Sequence, residues 1–435
     1  MGTLLYWLKR VLPHHLLEVL RPPYHLALAW IGAMWYRHPS RDITVIAVTG
    51  TKGKSTVVEL ISAILEGAGY TTASLSTIQF KVGSDIRPNL YKMTTPGRFF
   101  VQHFLRQAVD ARCSHAVIEM TSEGAKQFRH KFIELDALVF TNLAPEHIES
   151  HGSFEKYKAA KLKIAEQLER STKRPRYIVA NVDDEHGADF LKINVEEKLP
   201  YTLSDLKLHT LHKDGIGLIF QSQSEETTIR VPLVGLFNVY NTLAAITITK
   251  ALGVSLATIE RALRGLPPVR GRVEHFYSPK DSTRNVTAIV DYAHTPDSLE
   301  KLYQAFKDVP KVCVLGNTGG GRDTWKRPEM AAIAERYCDH IILTNEDPYD
   351  EDPRQIIADM EKGITDTSKL EVIMDRREAI KTAIDKAVDG GYVIISGKGT
   401  DPYIMGPHGS KQPWSDAEVV TQELATIQLQ SQGTQ

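Results

Sequence analysis

The chain alternates between short aliphatic runs rich in β-branched residues and longer stretches in which apolar residues recur every three or four positions. Strand-like runs occupy 43–48, 72–77, 115–120, 137–142 and 177–182, and helical periodicity fills 55–68, 97–111 and 154–169. This alternation predicts an α/β fold with a doubly wound parallel sheet covered by helices on both faces.

Residues 200–233 have a different pattern, polar and β-rich, with a turn at Lys213-Asp214-Gly215. We expect an antiparallel flap or sheet edge there, followed by helices near 239–251 and 256–264. The sequence Gly265-Leu266-Pro267-Pro268 interrupts the helical pattern and predicts a domain boundary.

A second α/β alternation follows this boundary. It predicts strands at 286–291, 311–316, 340–345, 370–375 and 392–396 and helices near 297–307, 327–338, 353–362, 376–388 and 415–427. The expected organisation is therefore a short N-terminal segment (1–41), a central nucleotide-binding domain (42–267) and a Rossmann-like domain (268–435).

The N-terminal segment combines apolar residues at helical spacing with Trp30, Trp35 and several arginines. We expect Arg21-Pro22-Pro23 to separate two apolar pieces, of which the second (24–36) is too short to span a bilayer. Two interpretations remain open: the helices pack on the following domain, or their basic and aromatic residues contact a membrane interface or partner.

Bulk composition excludes several classes of protein. The 435 residues carry a formal net charge of −1, which gives no electrostatic reason to expect nucleic acid as a partner. Cys113, Cys313 and Cys338 lack a C-x-x-C spacing, and we interpret them as buried thiols of a reducing compartment, with no disulfide or zinc site. Without a cleavable signal pattern, the expected location is cytoplasmic, with membrane association as the alternative.

The most informative segment is the sequence Gly50-Thr51-Lys52-Gly53-Lys54-Ser55-Thr56, which follows the first strand-like run. A strand, a Gly-rich turn and a helix leave backbone N–H groups directed at one point, an arrangement that binds phosphate. Lys54 is expected along the β- and γ-phosphates and Ser55 at Mg²⁺. The spacing departs from the usual phosphate loop because Val48 occupies the position of the first glycine.

Polar residues also end two other predicted strands. Glu119 ends the run 115–120, Asn142 ends the run 137–142, and His147 and His151 follow in the next loop. Because the carboxyl ends of parallel strands meet at one sheet edge, Glu119 and His147 could complete a Mg²⁺ shell with Ser55.

Several motifs together resemble the Mur ligases, ATP-dependent amide-forming enzymes of cell-wall precursor synthesis, and most closely their tripeptide synthetase type. The motifs are the phosphate loop, Thr94-Thr95-Pro96, Phe140 to His147, Tyr157-Lys158-Ala159-Ala160-Lys161, Leu233 to Asn241, Gly271-Arg272-Val273-Glu274, Asp291-Tyr292-Ala293-His294-Thr295-Pro296-Asp297, Lys326-Arg327-Pro328 and Gly397-Lys398-Gly399. They span about residues 42 to 420 in the family's order.

The resemblance implies a mechanism in which ATP phosphorylates a carboxylate of a muramoyl-peptide-type acceptor and the amine of an amino acid then displaces phosphate. It assigns catalysis to Lys54, Lys161, His147, Arg272 and His294, with Lys161 carrying a CO₂-derived carbamate. It implies Mg²⁺ ligation by Ser55, Glu119, His147 and Lys161. The implied ATP contacts are residues 50–56, Asn142, Gly235, Asn238, Asn241 and Arg272.

The resemblance also implies substrate contacts, at Thr94, Thr95, Thr121, Ser122, Gln127, Arg129, Arg327, Glu346, Asp347, Tyr349, Gly397 and Asp401. Family members that add diaminopimelate carry Asp-Asn-Pro-Arg where this chain has Glu346-Asp347-Pro348-Tyr349. A phenol cannot replace a bidentate guanidinium, and Glu346, Asp347 and Asp350 present negative charge. We therefore expect a basic or neutral amino acid, such as lysine or ornithine, in place of diaminopimelate.

The same family usually has a uridine-binding domain before its ATP-binding domain, where this sequence has about forty residues. The acceptor is therefore expected to be held differently, or to be other than a UDP-sugar. Two rival interpretations are a folylpolyglutamate-synthase-like ligase and a non-catalytic nucleotide-binding partner protein. The Asp291 to Asp297 motif and Thr94-Thr95-Pro96 disfavour the first. The second is disfavoured by the joint presence of the candidate catalytic residues Lys54, Glu119, His147, Lys161, Arg272 and His294.

Overall fold

The computed structural model of the protein describes residues 14–145, 151–222, 225–280, 282–321 and 323–432. Its internal contacts divide the chain into two compact units. Unit 1 takes the described residues up to Asp205 together with Tyr240–Leu263, and unit 2 takes Leu206–Val239 and the described residues from Arg264 onward. The three predicted domains with boundaries at 41/42 and 267/268 stay a prediction.

Unit 1 is built on one eight-stranded sheet. Its strands are β1 (Thr44–Thr49), β2 (Thr72–Leu75), β3 (Gln79–Val82), β4 (Asp85–Pro88), β5 (His115–Glu119), β6 (Ala137–Phe140), β7 (Tyr177–Asn181) and β8 (Glu197–Tyr201). Its helices are α1 (His14–Trp35), α2 (Lys54–Gly67), α3 (Arg98–Asp110), α4 (Ser122–Lys126), α5 (Phe154–Glu169), α6 (Gly187–Phe190), the greater part of α7 (Leu236–Ala251), and α8 (Leu256–Arg264).

The sheet order is β4-β3-β2-β5-β1-β6-β7-β8, parallel from β2 to β8, with β3 and β4 added antiparallel at the edge. The predicted α/β class is thus confirmed. Strand β1 lies between β5 and β6, so the residues after these three strands meet at one edge of the sheet.

Both faces of β1 are buried, which explains its unbroken apolar sequence. Val45 and Ala47 belong to a core that includes Phe104 of α3 and Phe140 of β6. The intervening Ile46 is fully buried as well.

The N-terminal helix corrects one sequence-based expectation. α1 runs without interruption from His14 to Trp35 through Pro22 and Pro23, where we predicted a break. Both prolines are exposed, so their rings do not have to fit into the core. Ala29 and Ala33 are buried, and α1 packs on α3.

Unit 2 contains a six-stranded sheet in the order β12-β13-β17-β14-β15-β16, with β12 antiparallel to β13 and the other pairs parallel. Its strands are β9 (Leu208–His212), β10 (Gly215–Ser222), β11 (Glu225–Val231), β12 (Glu274–Tyr277), β13 (Thr287–Val290), β14 (Lys311–Leu315), β15 (His340–Leu343), β16 (Leu370–Val372), β17 (Tyr392–Ile395), β18 (Tyr403–Met405) and β19 (Lys411–Pro413). Its helices are α9 (Pro296–Ala305), α10 (Lys326–Tyr337), α11 (Pro353–Glu361), α12 (Arg376–Lys386) and α13 (Asp416–Gln432).

Helices cover both faces of this second sheet. Leu315 and Ile394 point into a core with Leu299 of α9, whereas Val314 and Ile395 point into a separate core on the other face. The two-residue alternation of a strand produces this division. The predicted flap is also confirmed, because β9, β10 and β11 form an antiparallel three-stranded sheet.

The cysteine prediction was wrong for two of the three residues. Cys313 of β14 and Cys338, directly after α10, form a disulfide with Cα atoms 6.1 Å apart. Their separation of 25 residues along the chain gave no sign of this, because the adjacency of β14 to the end of α10 is a tertiary property. Cys113 is a buried free thiol, as predicted.

Within the described residues, no helix is both long enough and apolar enough to cross a membrane.

Candidate active site

The turn after β1 forms a tightly enclosed loop in which two glycines are required. Gly50 has φ of 149°, and a Cβ atom there would lie 2.0 Å from Oγ1 of Thr141. Gly53 is the N-cap of α2 with φ of 82°, and its Cβ would lie 2.1 Å from Oδ1 of Asn241. Side chains are thus excluded by sterics as well as by backbone conformation.

Residues after β6 hold the loop from one side. Asn142 accepts from the Lys52 amide through Oδ1 at 2.9 Å and donates to the Lys52 carbonyl at 3.1 Å. Thr141 donates to the same carbonyl at 2.7 Å. Thr51 lies 3.0 Å from the Tyr157 hydroxyl of α5. These bonds fix the loop backbone before any ligand binds.

A carboxylate from β5 meets the first turn of α2. Ser55 donates from Oγ to Oε2 of Glu119 at 2.8 Å, and Lys54 Nζ lies 3.8 Å from Oε1 of Glu119. Thr77, after β2, donates to Oε2 from its backbone N–H at 2.9 Å and its hydroxyl at 3.1 Å. The next helix residue, Thr56, is buried. The predicted meeting of Lys54, Ser55 and Glu119 is present.

Lys161 lies against the loop and away from solvent. Its side chain is on the buried face of α5, the residue is 2% exposed, and Nζ donates to the Gly50 carbonyl at 2.6 Å. Nζ is also 4.7 Å from the centre of the Tyr157 ring. Sequence composition favoured a surface lysine at this position, and only the resemblance placed it in the site.

His147 lies outside the described residues, so its predicted catalytic and metal-binding roles stay predictions. The other histidine of that loop, His151, is buried with Nε2 3.3 Å from the Glu123 carboxylate. Within the described part of the chain, no group of three or more His, Cys, Asp or Glu side chains could hold a metal ion.

The predicted acceptor-binding residues gather around the start of α4. Arg129 donates to the Thr95 carbonyl and, at 2.8 Å, to the side-chain oxygen of Gln127. Thr121 caps α4 by accepting from the Gly124 amide, and the first residue of that helix, Ser122, is buried. Thr94 Oγ1 lies 2.9 Å from Thr77 Oγ1, which links this group to Glu119.

Residues proposed near adenine lie on or next to α7. Gly235 has φ of 93° and precedes the helix, and Asn238 donates to the Val234 carbonyl at 2.8 Å. Asn241 lies one turn later and approaches Gly53 of the phosphate loop. Of the three, Asn241 is the residue that the structure connects to the loop in unit 1.

In unit 2, a second group of predicted residues gathers around the Tyr292 ring. The Arg272 guanidinium is 4.6 Å from the centre of the Tyr292 ring, and the His294 ring is 4.6 Å from the same ring. His294 donates from Nδ1 to the Tyr292 carbonyl at 2.7 Å, which fixes the orientation of its ring. Their role toward the nucleotide stays a prediction.

The acidic residues after β15 do not present the charge that we inferred from sequence. Asp347 accepts from Lys398 Nζ and from the Met405 amide, both at 2.8 Å. Glu346 is buried beside Gly397, where burial raises the pKa of its carboxyl. Negative charge in this group is therefore offset or disfavoured, except at the exposed Asp350.

Three remaining predicted substrate contacts have structural partners. Arg327 is buried and donates to Glu351 at 2.7 and 2.8 Å and to Asp359 at 3.0 Å. Tyr349 adopts a left-handed backbone with φ of 53° and donates from its amide to the Met405 carbonyl at 3.0 Å. Asp401 lies 3.5 Å from Lys398 Nζ. Their contact with substrate stays a prediction.

Sequence reasoning gave no role to Thr77, Thr141 or Tyr157, although each one holds the loop or Glu119 in place. The available signal was a hydroxyl residue within two positions of the end of a strand, β2 for Thr77 and β6 for Thr141. Tyr157 lay inside a motif that we had used only for its lysine.

Family patterns match most of the chain. The Mur ligase middle domain matches residues 48–249, and the Mur ligase, glutamate ligase domain matches residues 271–399.

Two curated relatives and one solved structure show the extent of the similarity. A UDP-N-acetylmuramoyl-L-alanyl-D-glutamate–2,6-diaminopimelate ligase of Syntrophomonas wolfei is 35% identical over 395 residues, covering 88% of this chain and 78% of the relative. A UDP-N-acetylmuramyl-tripeptide synthetase of a Roseiflexus species is 35% identical over 429 residues, covering 93% and 83%. A solved structure of a 2,6-diaminopimelate ligase of the same name aligns with a TM-score of 0.61 and 30% identity, covering 90% of this chain and 79% of that one.

Proposed function

The chain belongs to the Mur ligase family of ATP-dependent, ADP-forming ligases, and we propose that it joins an amino acid to a muramoyl-peptide-type acceptor in peptidoglycan precursor synthesis. ATP would phosphorylate the acceptor carboxylate, and the amine of the amino acid would attack the resulting acyl phosphate and release phosphate.

The observation that supports this proposal best is the convergence of Lys54, Ser55, Glu119 and Lys161 on one enclosed phosphate loop. A carboxylate is a poor electrophile, and its approach to a triphosphate brings two anions together. The loop amides and the Lys54 ammonium supply positive charge where these anions meet. Lys54 is already oriented, since Nζ donates to the Thr51 carbonyl at 2.9 Å.

The donor set around Ser55 suits Mg²⁺. A hydroxyl and a carboxylate are hard oxygen ligands, and here they are 2.8 Å apart on adjacent elements. Ser55 and Glu119 would hold the ion, with His147 as a further ligand, and the bound ion would neutralise charge on the phosphates. Thr77 would keep Glu119 oriented through its two hydrogen bonds.

The environment of Lys161 fits a carbamate formed with CO₂. Water stabilises the charge of an ammonium group only weakly when the group is buried beside a phosphate loop. Reaction of the neutral amine with CO₂ would replace this cation by a carbamate, an anion with two oxygens that can bind a hard cation. With ¹³C-labelled bicarbonate and Mg-ADP, we expect a carbamate carbon signal in NMR spectra that the Lys161→Arg variant lacks. The same signal in this variant, or no signal in the wild-type protein, would contradict the assignment.

For the added amino acid, we propose a basic or neutral side chain. The relatives described above that are named for diaminopimelate raise the competing possibility. Tyr349, in place of the family's arginine, is the residue that disfavours diaminopimelate, because Asp347 is already paired with Lys398. Phosphate release should be measured across lysine, ornithine, alanine and diaminopimelate; a clear preference for diaminopimelate would refute this part of the proposal.

ADP formation that requires both acceptor and amino acid tests the ligase activity itself. Lys54→Ala should lower kcat by roughly two orders of magnitude or more, since it removes a charge from the phosphate site. Lys81→Ala is the matched control, because Lys81 pairs with Glu66 on the surface. A rate of ADP formation that is the same with and without the acceptor would instead indicate a different reaction.

We further propose that α1 contacts an anionic lipid surface. One side of α1 packs on α3, but Trp30 and Trp35 are 49% and 75% exposed, with Tyr24, Ile31 and Met34 also exposed. Residues 1–41 carry five Lys and Arg residues and one acidic residue, Glu18. Exposed aromatic rings with basic neighbours suit the interface of an anionic membrane.

Cosedimentation with vesicles containing anionic lipid tests this contact on the full chain. Combined Trp30→Ser and Trp35→Ser substitutions should reduce the bound fraction several-fold, whereas Tyr277→Ser, at a residue of unit 2 that is 67% exposed, should not. Equal sedimentation of all three proteins would refute the proposal. Dimer dissociation in the tryptophan variant, without any lipid effect, would assign the surface to a second copy of the chain.

A further inference from the structure

Two arginine side chains share one partner at the start of α3. Arg98, the first residue of α3, donates from Nε to the Gln127 carbonyl at 2.8 Å. Arg129 donates from Nη2 to the side-chain oxygen of the same glutamine at 2.8 Å. Gln127 therefore holds two guanidinium groups next to each other. The family resemblance pointed to Arg129, but it gave no role to Arg98.

The positive charge of this pair is poorly compensated. Among the residues that the structure describes, no carboxylate forms an ion pair with Arg98 or Arg129; Glu123 acts on Arg129 from farther away and contacts His151. Burial lowers the pKa of both guanidinium groups, and the charge of Arg129 lowers that of Arg98 further. Two like charges in a poorly hydrated place are unfavourable without an anion.

Donor groups in the pair remain available. Nη2 of Arg98 and Nε of Arg129 are buried and have no hydrogen-bond partner among the described residues. A buried donor without an acceptor costs free energy, so such atoms indicate a missing ligand or water.

The N-terminus of α3 adds to the positive electrostatic potential around this arginine pair. Its N-cap, Gly97, offers no side-chain cap, and the first turn contains no acidic residue. The partial positive charge of the helix N-terminus thus meets Arg98 directly. Thr95, Thr121 and Arg129 also line one small cavity, which connects the pair to the residues predicted to grip the acceptor.

We propose that Arg98 and Arg129 together bind a phosphate-type dianion of the acceptor, and that Arg98 is a specificity-determining residue. One guanidinium would suffice for a single carboxylate, whereas two can share the oxygens of a doubly charged phosphate group. The assignment of this anion to the acceptor rests on the proposed ligase function. The existence of the anion site does not depend on that function.

Arginine Nε–Hε NMR signals of the full chain test the site without activity. The phosphate loop contains lysines and no arginine, so inorganic phosphate bound there would leave the Arg98 and Arg129 signals largely unmoved. Above neutral pH, phosphate should shift both signals, and the shifts should saturate as its concentration rises. The signals are assigned from the Arg98→Lys and Arg129→Lys variants, each of which lacks one of them. Arg98→Gln should weaken the response of Arg129 roughly tenfold or more.

Arg106→Gln is the matched control on the same helix, because Arg106 donates to the Tyr36 carbonyl and pairs with Asp42; its response should equal that of the wild type. Failure of phosphate to shift either signal would overturn the proposal. So would an unchanged response in Arg98→Gln, or a stronger response to succinate than to phosphate, since succinate tests a dicarboxylate.

Kinetics then distinguish this site from the reaction. With an active acceptor, Arg98→Gln should raise the acceptor KM roughly 10- to 100-fold and leave the ATP KM and kcat within about threefold. Arg98→Lys should recover part of the loss. If no muramoyl acceptor supports ligation, the proposed function is wrong. The NMR experiment tests the anion site independently of that result.

Discussion

At the scale of single residues, the phosphate loop depends on the absence of side chains at two positions. Gly50→Ala would bring a Cβ within 2.0 Å of Thr141 Oγ1, and its φ of 149° disfavours alanine as well. We predict a loss of ATP affinity of about tenfold or more, measured by calorimetric titration, because the loop amides would move from their positions.

Gly69→Ala is the matched control for backbone strain alone, since Gly69 has φ of 90° but no atom near the added Cβ. It should lower the free energy of unfolding by about 1 kcal/mol and leave ATP affinity unchanged. Equal ATP affinity in Gly50→Ala and the wild type would show that the loop tolerates the side chain.

Glu59 of α2 provides a prediction about pH. Burial raises the pKa of its carboxyl from 4.5 to about 7, despite hydrogen bonds from Ser76 and Gln79. The folded state therefore holds this proton more tightly than the unfolded chain does. Its contribution to stability is full below pH 4.5 and is lost as the pH rises to about 7.

The expected size of this loss is about 3 kcal/mol, and Glu59→Gln should remove it. Chemical unfolding of both proteins from pH 5 to 8 measures the difference between their free energies of unfolding. That difference should change in favour of the variant as the pH rises. A constant difference across this range would show that the carboxyl titrates with an ordinary pKa.

At the scale of elements, α12 and α13 are joined by two ion pairs in contrasting surroundings. Arg376 and Asp416 are both buried, with Nη2 and Oδ2 2.7 Å apart, whereas the neighbouring Arg377 is half-exposed and lies 2.7 Å from Glu423. Arg376→Met should lower the free energy of unfolding by about 3–5 kcal/mol, because it leaves the Asp416 charge buried and unpaired.

Arg377→Met is the control, with an expected loss of at most about 1 kcal/mol because water screens that pair. Denaturant unfolding of the two variants measures both values. Similar losses in the two proteins would mean that burial does not govern the strength of these pairs.

Element prediction from sequence succeeded where long periodic runs dictate the structure. β1 was predicted at 43–48 and occupies Thr44–Thr49, and α5 was predicted at 154–169 and occupies Phe154–Glu169. β3 and β4 were missed because they are four-residue strands with polar positions, which carry no strong two-residue pattern. The continuity of α1 through Pro22 and Pro23 was missed because proline normally ends a helix.

At the scale of the whole molecule, sequence order identified the family, whereas tertiary contacts decided the electrostatics of the site. Asp347 and Arg98 are two examples of side chains whose electrostatic surroundings depend on tertiary contacts. The negative charge of Asp347 is offset by Lys398, which lies 51 positions away along the chain. Sequence reasoning gave no role to Arg98, because its proximity to Arg129 arises only in the folded chain. Neither pairing is encoded in a local pattern.

Mass spectrometry of the reaction products is the direct test of whether this protein is an amino-acid ligase. The full chain would be incubated with ATP, Mg²⁺, bicarbonate, a mixture of muropeptide nucleotides and a set of amino acids. We expect a new species whose mass is that of one acceptor plus one amino acid minus water, formed with one ADP per product and absent with Lys54→Ala. Nucleotide binding without any such species, across the whole mixture, would contradict this expectation.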